Sequence, residues 1–182
     1  MSAHARLRFR IPFRAVNRRE TPSYDPGLQR HHLLPSQLLS IAAFARLFGA
    51  LCPGKVDFED FRRNGLLLPA REKAALRIGL PLHRGPHRSY NAMVAERVGQ
   101  IESGWSARTG RDPDGALEEA YMRLALLQSA LRRRLLDSGR RPLQLNRFDP
   151  LGAGRNFAQL DTMADMLWNS TETIIQPFRD ED

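Results

Sequence analysis

The chain has 182 residues, 42% of them hydrophobic, which suits one domain with a core of ordinary size. Mean hydropathy is −0.45 and no apolar run approaches the roughly 20 residues of a membrane helix, so a spanning helix is excluded as the organising element. A net charge of +8 and a pI near 10.8 favour an anionic partner, nucleic acid first, and the single cysteine, Cys52, excludes an internal disulfide. Of the 28 basic residues only Lys55 and Lys73 are lysines. An arginine bias of this kind also follows from GC-rich codons, so the charge needs a chemical site beside it before it speaks to function.

Residues 1–24 alternate arginine with apolar residues (Arg6, Leu7, Arg8, Phe9, Arg10, Ile11) and then turn polar. They read as a basic N-terminal arm or an edge strand, and the arginines interrupt any apolar core of a signal peptide. Without such a leader a cytoplasmic location is expected, and export through a dedicated secretion machine would leave no trace of this kind. Asp25-Pro26-Gly27 is a turn. Leu28 to Pro35 carries the adjacent pair His31-His32 and reads as a short strand halted by proline. Ser36 is a good N-cap for a helix over residues 37–50, with Leu38, Leu39, Ala42, Ala43 and Leu47 or Phe48 on its apolar face. A further helical turn around Phe58 and Phe61 precedes Asn64-Gly65. Leu66-Leu67-Leu68-Pro69 then repeats the pattern of Leu33-Leu34-Pro35, and two such strands would pair as a ribbon. Residues 70–82 read as a helical turn and a connection.

His83-Arg84-Gly85-Pro86-His87 follows. Proline suits the first position of a helix, and Tyr90, Met93, Val94, Val98 and Ile101 recur at helical spacing, which predicts a helix over 86–103 with His87 in its first turn. After a polar loop at 104–114, Leu117, Tyr121, Leu124, Leu127, Leu131 and Leu135 mark an amphipathic helix over 113–137. A loop rich in Pro and Gly and a last helix over 155–168 complete the chain.

Four of the five histidines thus fall on two strand–helix landmarks, with Asn64 between them. Paired imidazoles beside a helix start that attracts anions suit a metal-dependent phosphodiester site. The succession His31-His32, Asn64-Gly65 and His83-x-x-x-His87 with Tyr90-Asn91 resembles the AHH family of the HNH (His-Me finger) nuclease superfamily, over residues 28–101. Arg30 stands where the family name has alanine.

The resemblance implies an α+β, mainly helical fold with a ββα-metal core and additional C-terminal helices. With the basic alternation before it and the helical periodicity after it, the chain divides into a basic N-terminal arm (1–24), a nuclease core (25–104) and a helical C-terminal extension (105–182). The resemblance also implies a metal-dependent endonuclease acting on nucleic acid, DNA before RNA and with little sequence preference. His31, His83 and His87 would hold one divalent metal ion (Zn, Ni, Co, Mn or Mg), His32 would be the general base, and Asn64 would help fix it. Arg88 would serve catalysis and, with Arg30 and Arg84, bind the nucleic acid. It further implies an antibacterial toxin or effector, delivered by a secretion system and checked by an immunity protein.

The same residues also fit a non-catalytic metal-containing nucleic-acid binder, or a helical protein–protein adaptor. One feature of geometry constrains all these readings. Neighbouring strand residues point to opposite faces, so His31 and His32 can serve one site only from a bend, a bulge or a strand end.

Overall fold

A computed structural model describes residues 10–52, 55–85 and 87–137, together with 143 and 145. Its architecture is the expected one: mainly helical, with a single two-stranded antiparallel ribbon among the described residues. Strand β1, Leu28–His32, pairs with β2, Gly65–Pro69, in a register that sets His31 opposite Leu66 and His32 opposite Gly65. β1 ends at His32, not at Pro35. Leu33 and Leu34 lie beyond the ladder, fully buried, with the Leu33 N–H donating to the Asn64 carbonyl at 2.7 Å.

The expected helix over 37–50 is replaced by two 3₁₀ turns, Ser36–Ser40 and Ala42–Phe44, followed by α1, Ala45–Leu51. Ile41, extended at φ −83° and ψ 113°, separates the turns. That break buries Leu38, Phe44, Leu47, Phe48 and Leu51, and leaves Leu39 47% exposed where a continuous helix would have turned it inward. A short α2, Phe61–Asn64, leads into β2, and its N-cap Asp60 accepts from the Arg62 N–H at 3.1 Å. α3, Glu72–Ile78, fills part of the 70–82 connection.

α4 spans Arg88–Thr109 and α5 Pro113–Leu136. α4 starts two residues later than expected, leaving His87 at the cap position, and runs six residues further than residue 103. The reason for the extension is its buried stripe, Tyr90, Val94, Val98, Ile101 and Trp105, which continues past Gly104 at helical spacing and outweighs the helix cost of that glycine. α5 is capped by Asp112, whose side chain accepts from the Gly115 N–H at 2.9 Å, with Pro113 at the first position. Ala116, Ala120, Leu124, Leu131 and Leu135 join Leu33, Leu34, Leu68 and the α4 stripe in one core cluster. The helix expected over 155–168 lies outside the described residues.

The N-terminal segment from Arg10 onward is packed against the rest of the fold. Pro12 bridges Asp60, the Phe13 N–H donates to the Glu59 carbonyl at 3.1 Å, and the Phe61 N–H donates to the Ile11 carbonyl at 2.7 Å. Phe13 is buried. Asn17, at φ +47°, sends its amide to the carbonyls of Asp25 (3.0 Å) and Leu28 (2.9 Å), tying the following loop to the start of β1.

Candidate active site

Strand alternation sorts the residues of β1 onto two sides. Gln29 and His31 face the entry to α4, whereas Arg30 and His32 face the N-terminal segment. On the first side, the His83 N–H donates to the Pro69 carbonyl at 2.6 Å, which draws the connection before α4 against the end of β2. Gly85, at φ +78°, makes the turn that brings His87 back beside His83, a conformation that a side chain would strain. The rings of His31 and His83 lie 4.8 Å apart, those of His83 and His87 4.3 Å, and those of His31 and His87 5.7 Å.

The three offer ligand nitrogens that all fall within 4.8 Å of one another, and they form the one cluster of this kind among the described residues. The donor set fits a metal ion. His83 Nδ1 is 3.2 Å from Gln29 Oε1, and His87 Nδ1 is 3.2 Å from the Leu145 carbonyl. With an oxygen acceptor, each Nδ1 carries the proton, which leaves Nε2 as a lone-pair donor and fixes the ring. Nε2 of His31 is buried and has no hydrogen-bond partner, a cost that an ion would remove. Burial, and then the neighbouring His83 and His87, push the His31 pKa down to about 2. Burial, and then His87 and His32, take His83 to about 4. Both are neutral at pH 7, as imidazole ligands must be. Tyr90 packs edge-on to His31 at 5.0 Å, and its hydroxyl donates to the Leu33 carbonyl at 2.7 Å.

On the other side, His32 lies flat on Phe13, with centroids 3.7 Å apart and planes 5° from parallel. Phe61 meets Phe13 edge-on at 5.1 Å. Phe61 also occupies the space over Gly65, the residue opposite His32, where an added Cβ would collide with its ring. Nε2 of His32 is buried without a hydrogen-bond partner, and Glu59 Oε1 stands 3.5 Å away, too far for a good hydrogen bond. Burial lowers the His32 pKa, while Glu59 opposes the shift and Arg30 adds to it. His32 is the last residue of β1, paired with Gly65, and its ring faces away from the side of the strand that holds His31, His83 and His87.

Asn64 is wholly buried. Its side chain accepts from the Leu34 N–H (2.7 Å) and from Gln128 (3.1 Å), and donates to the carbonyls of Leu34 (3.0 Å) and Phe58 (3.1 Å). It therefore reaches His32 only through the backbone that follows it. Arg30 donates to the Phe13 carbonyl at 2.7 Å, so one of its nitrogens holds the segment that carries the Phe13 ring. Arg84 and Arg88 are exposed, on the His83–His87 turn and in the first turn of α4.

Gln29, Phe13, Glu59 and the Leu145 carbonyl are site neighbours that the motif does not name. Gln29 was within reach of the sequence, since it shares the face of His31 two residues on; the others are brought in by distant segments.

The model of the AHH family, a nuclease family of the HNH/ENDO VII superfamily with conserved AHH, matches residues 13–129. The chain belongs to the AHH nuclease family. Nucleic acid is accordingly its substrate class. The matched span begins at Phe13, the residue stacked on His32, and takes in most of α5, so it covers both sides of the site. No curated protein and no solved structure matches the chain. No described helix is long and apolar enough to cross a membrane.

Proposed function

We propose that this AHH nuclease is a metal-dependent endonuclease that hydrolyses phosphodiester bonds, DNA before RNA, with little sequence preference. The observation that supports this most directly is the buried, unpartnered Nε2 of His31, set among His83 and His87 whose Nδ1 atoms are already engaged. These three histidines would hold one divalent ion. Imidazole nitrogens suit Zn, Ni or Co better than Mg, which prefers oxygen. When bound, the ion supplies Lewis-acid stabilisation of the charge that develops on the phosphoryl and leaving oxygens.

The chain's own groups do the rest. His32 is the general base: its Nε2, neutral at pH 7 and with Glu59 3.5 Å away as its nearest acidic group, takes the proton of the attacking water as the new P–O bond forms and the bond to the leaving oxygen breaks. Phe13 holds the base by its ring, and Asn64 holds the chain behind it at Leu34. Arg84 and Arg88, with the remaining donors of Arg30, contact phosphate oxygens, for which guanidinium is suited by its planar fork.

Incubation with supercoiled plasmid and each divalent ion in turn, with EDTA as the control, tests the reading. Nicking that EDTA abolishes is expected. No cleavage with any ion would leave a metal-containing nucleic-acid binder instead. Parallel RNA and DNA substrates settle the preference. The antibacterial effector role that the family resemblance implies is part of the proposal, with growth arrest on expression, relieved by His32→Ala, as its test.

A further inference from the structure

A second feature borders the site on the side of the N-terminal segment. Residues 14–24 and the start of β1 enclose an open cleft of about 460 Å³, whose walls carry Arg14, Arg18, Arg19 and Arg30 and the half-buried ring of Tyr24. Its only acidic wall residue is Glu20, in an exposed pair with Arg18 at 3.5 Å. Among the described residues Arg14 and Arg19 have no ion-pair partner, and both are exposed. The nearby Asp25 is turned to Arg77 at 3.0 Å and to the Gly27 N–H at 2.7 Å, so it does not neutralise them.

The cleft is built. Asn17 accepts the left-handed conformation and spends both ends of its amide on Asp25 and Leu28, which fixes the loop that forms the outer wall. The inner wall is β1 itself. Gln29, on that wall, is the hydrogen-bond partner of His83 Nδ1. Arg30, beside it, donates to the carbonyl of Phe13, the residue stacked on His32. β1 therefore links the cleft to both groups, Gln29 reaching His83 from one face of the strand and Arg30 holding the Phe13 segment from the other. At a strand rise of about 3.3 Å per residue, Gln29 stands roughly 7 Å from His31 along the ribbon. Successive phosphates of one DNA strand rise roughly 3.4 Å along the axis and follow a longer path around it, so this distance spans at most about two nucleotides.

We propose that this cleft is a substrate subsite: it takes the phosphates of the cleaved strand one to three nucleotides from the scissile bond, with Arg14 and Arg19 as the charge contacts and Tyr24 as a platform for a sugar or base. The inference rests on the endonuclease reading and adds to it the path of the strand. Two arginines without an acidic partner, Arg14 and Arg19, beside Tyr24 in the lining of an open cleft suit a polyanionic strand, in which each charge contact releases a counterion.

The test uses the full chain, loaded with metal and carrying His32→Ala so that DNA is bound and not cut, and a double-stranded oligonucleotide longer than the cleft. Binding is measured against salt for this parent, for the parent with Arg14→Gln/Arg19→Gln, and for a control with Arg97→Gln/Arg111→Gln, which removes two exposed charges elsewhere on the surface. The cleft variant should lose about 1.8 from the slope of log affinity against log salt on duplex, or about 1.4 on a single strand, and the control far less. Tyr24→Leu should weaken binding several-fold without changing the slope, as stacking carries no counterion. An unchanged slope in the cleft variant, or an equal loss in the control, overturns the proposal. The endonuclease reading is judged separately by whether wild type nicks plasmid, so the failure of one is told from the failure of the other.

Discussion

Replacing Asn64 by alanine should be among the most damaging single changes in this protein, although the residue touches no substrate. The amide is fully buried and makes four hydrogen bonds. Truncation leaves three backbone groups behind without that partner: the N–H and C=O of Leu34 and the C=O of Phe58. An unsatisfied buried group costs about 1–3 kcal/mol. A water admitted to the vacated space would recover part of this, so a loss of about 3–6 kcal/mol is expected. Total stabilities run about 5–15 kcal/mol, and a domain of this size shifts by about 2–4 °C per kcal/mol, which puts the fall in melting temperature at about 10–20 °C. Asn64→Asp tests the same reasoning with almost no change of shape. It keeps an acceptor for Leu34 N–H but turns a carboxylate oxygen toward two carbonyls, so its loss should be at least as large. Urea unfolding followed by circular dichroism, with calorimetry on the same samples, measures both. A fall of less than about 3 °C for Asn64→Ala, or wild-type stability for Asn64→Asp, would refute the network.

His32→Ala should keep metal content and DNA affinity while losing roughly 10²–10⁴-fold in turnover, whereas His31→Ala, His83→Ala and His87→Ala should lose the metal as well. Metal analysis and plasmid nicking on the four variants decide it, and equal metal in all of them would remove the ligand assignment. Metal-free protein should lose stability on acidification. His31 and His83 have folded pKa values below the unfolded 6.5, so the unfolded chain binds more protons, and their contribution is complete above about pH 6.5 and falls as the pH drops, down to about 4 for His83 and on to about 2 for His31. A denaturation free energy that stays flat between pH 6.5 and 5 would contradict this. Gly65→Ala should cost about 1–3 kcal/mol through overpacking against Phe61 and, by displacing Phe13 from His32, lower turnover more than metal binding. Wild-type turnover in that variant would show that the ring stack does not position the base.

Much of this arrangement was legible in the residues themselves. Short apolar runs halted by proline and period-3.6 patterns are local, and they located the ribbon, α4, α5 and the four histidines that the ribbon and the entry to α4 carry. Strand alternation separates Gln29 and His31 from Arg30 and His32, so the two-sided character of the site is already implied by the order of four residues. The 3₁₀ turns between Ser36 and Phe44 were not legible there. A continuous helix satisfies the local pattern equally well, and only burial of Phe44 instead of Leu39 selects the broken path.

Tertiary structure also decided what surrounds each imidazole. Gln29 reaches His83 across 54 positions, and Asn64 reaches Leu34 across 30. Phe13 and Glu59 arrive beside His32 from segments that carry no motif, and the basic cleft exists because Asn17 ties its loop to β1. Spacing along the chain encodes which residues share a face, because that depends on the geometry of one backbone segment. Which distant group fills the space opposite that face depends on how separate segments pack, and no local periodicity carries that information.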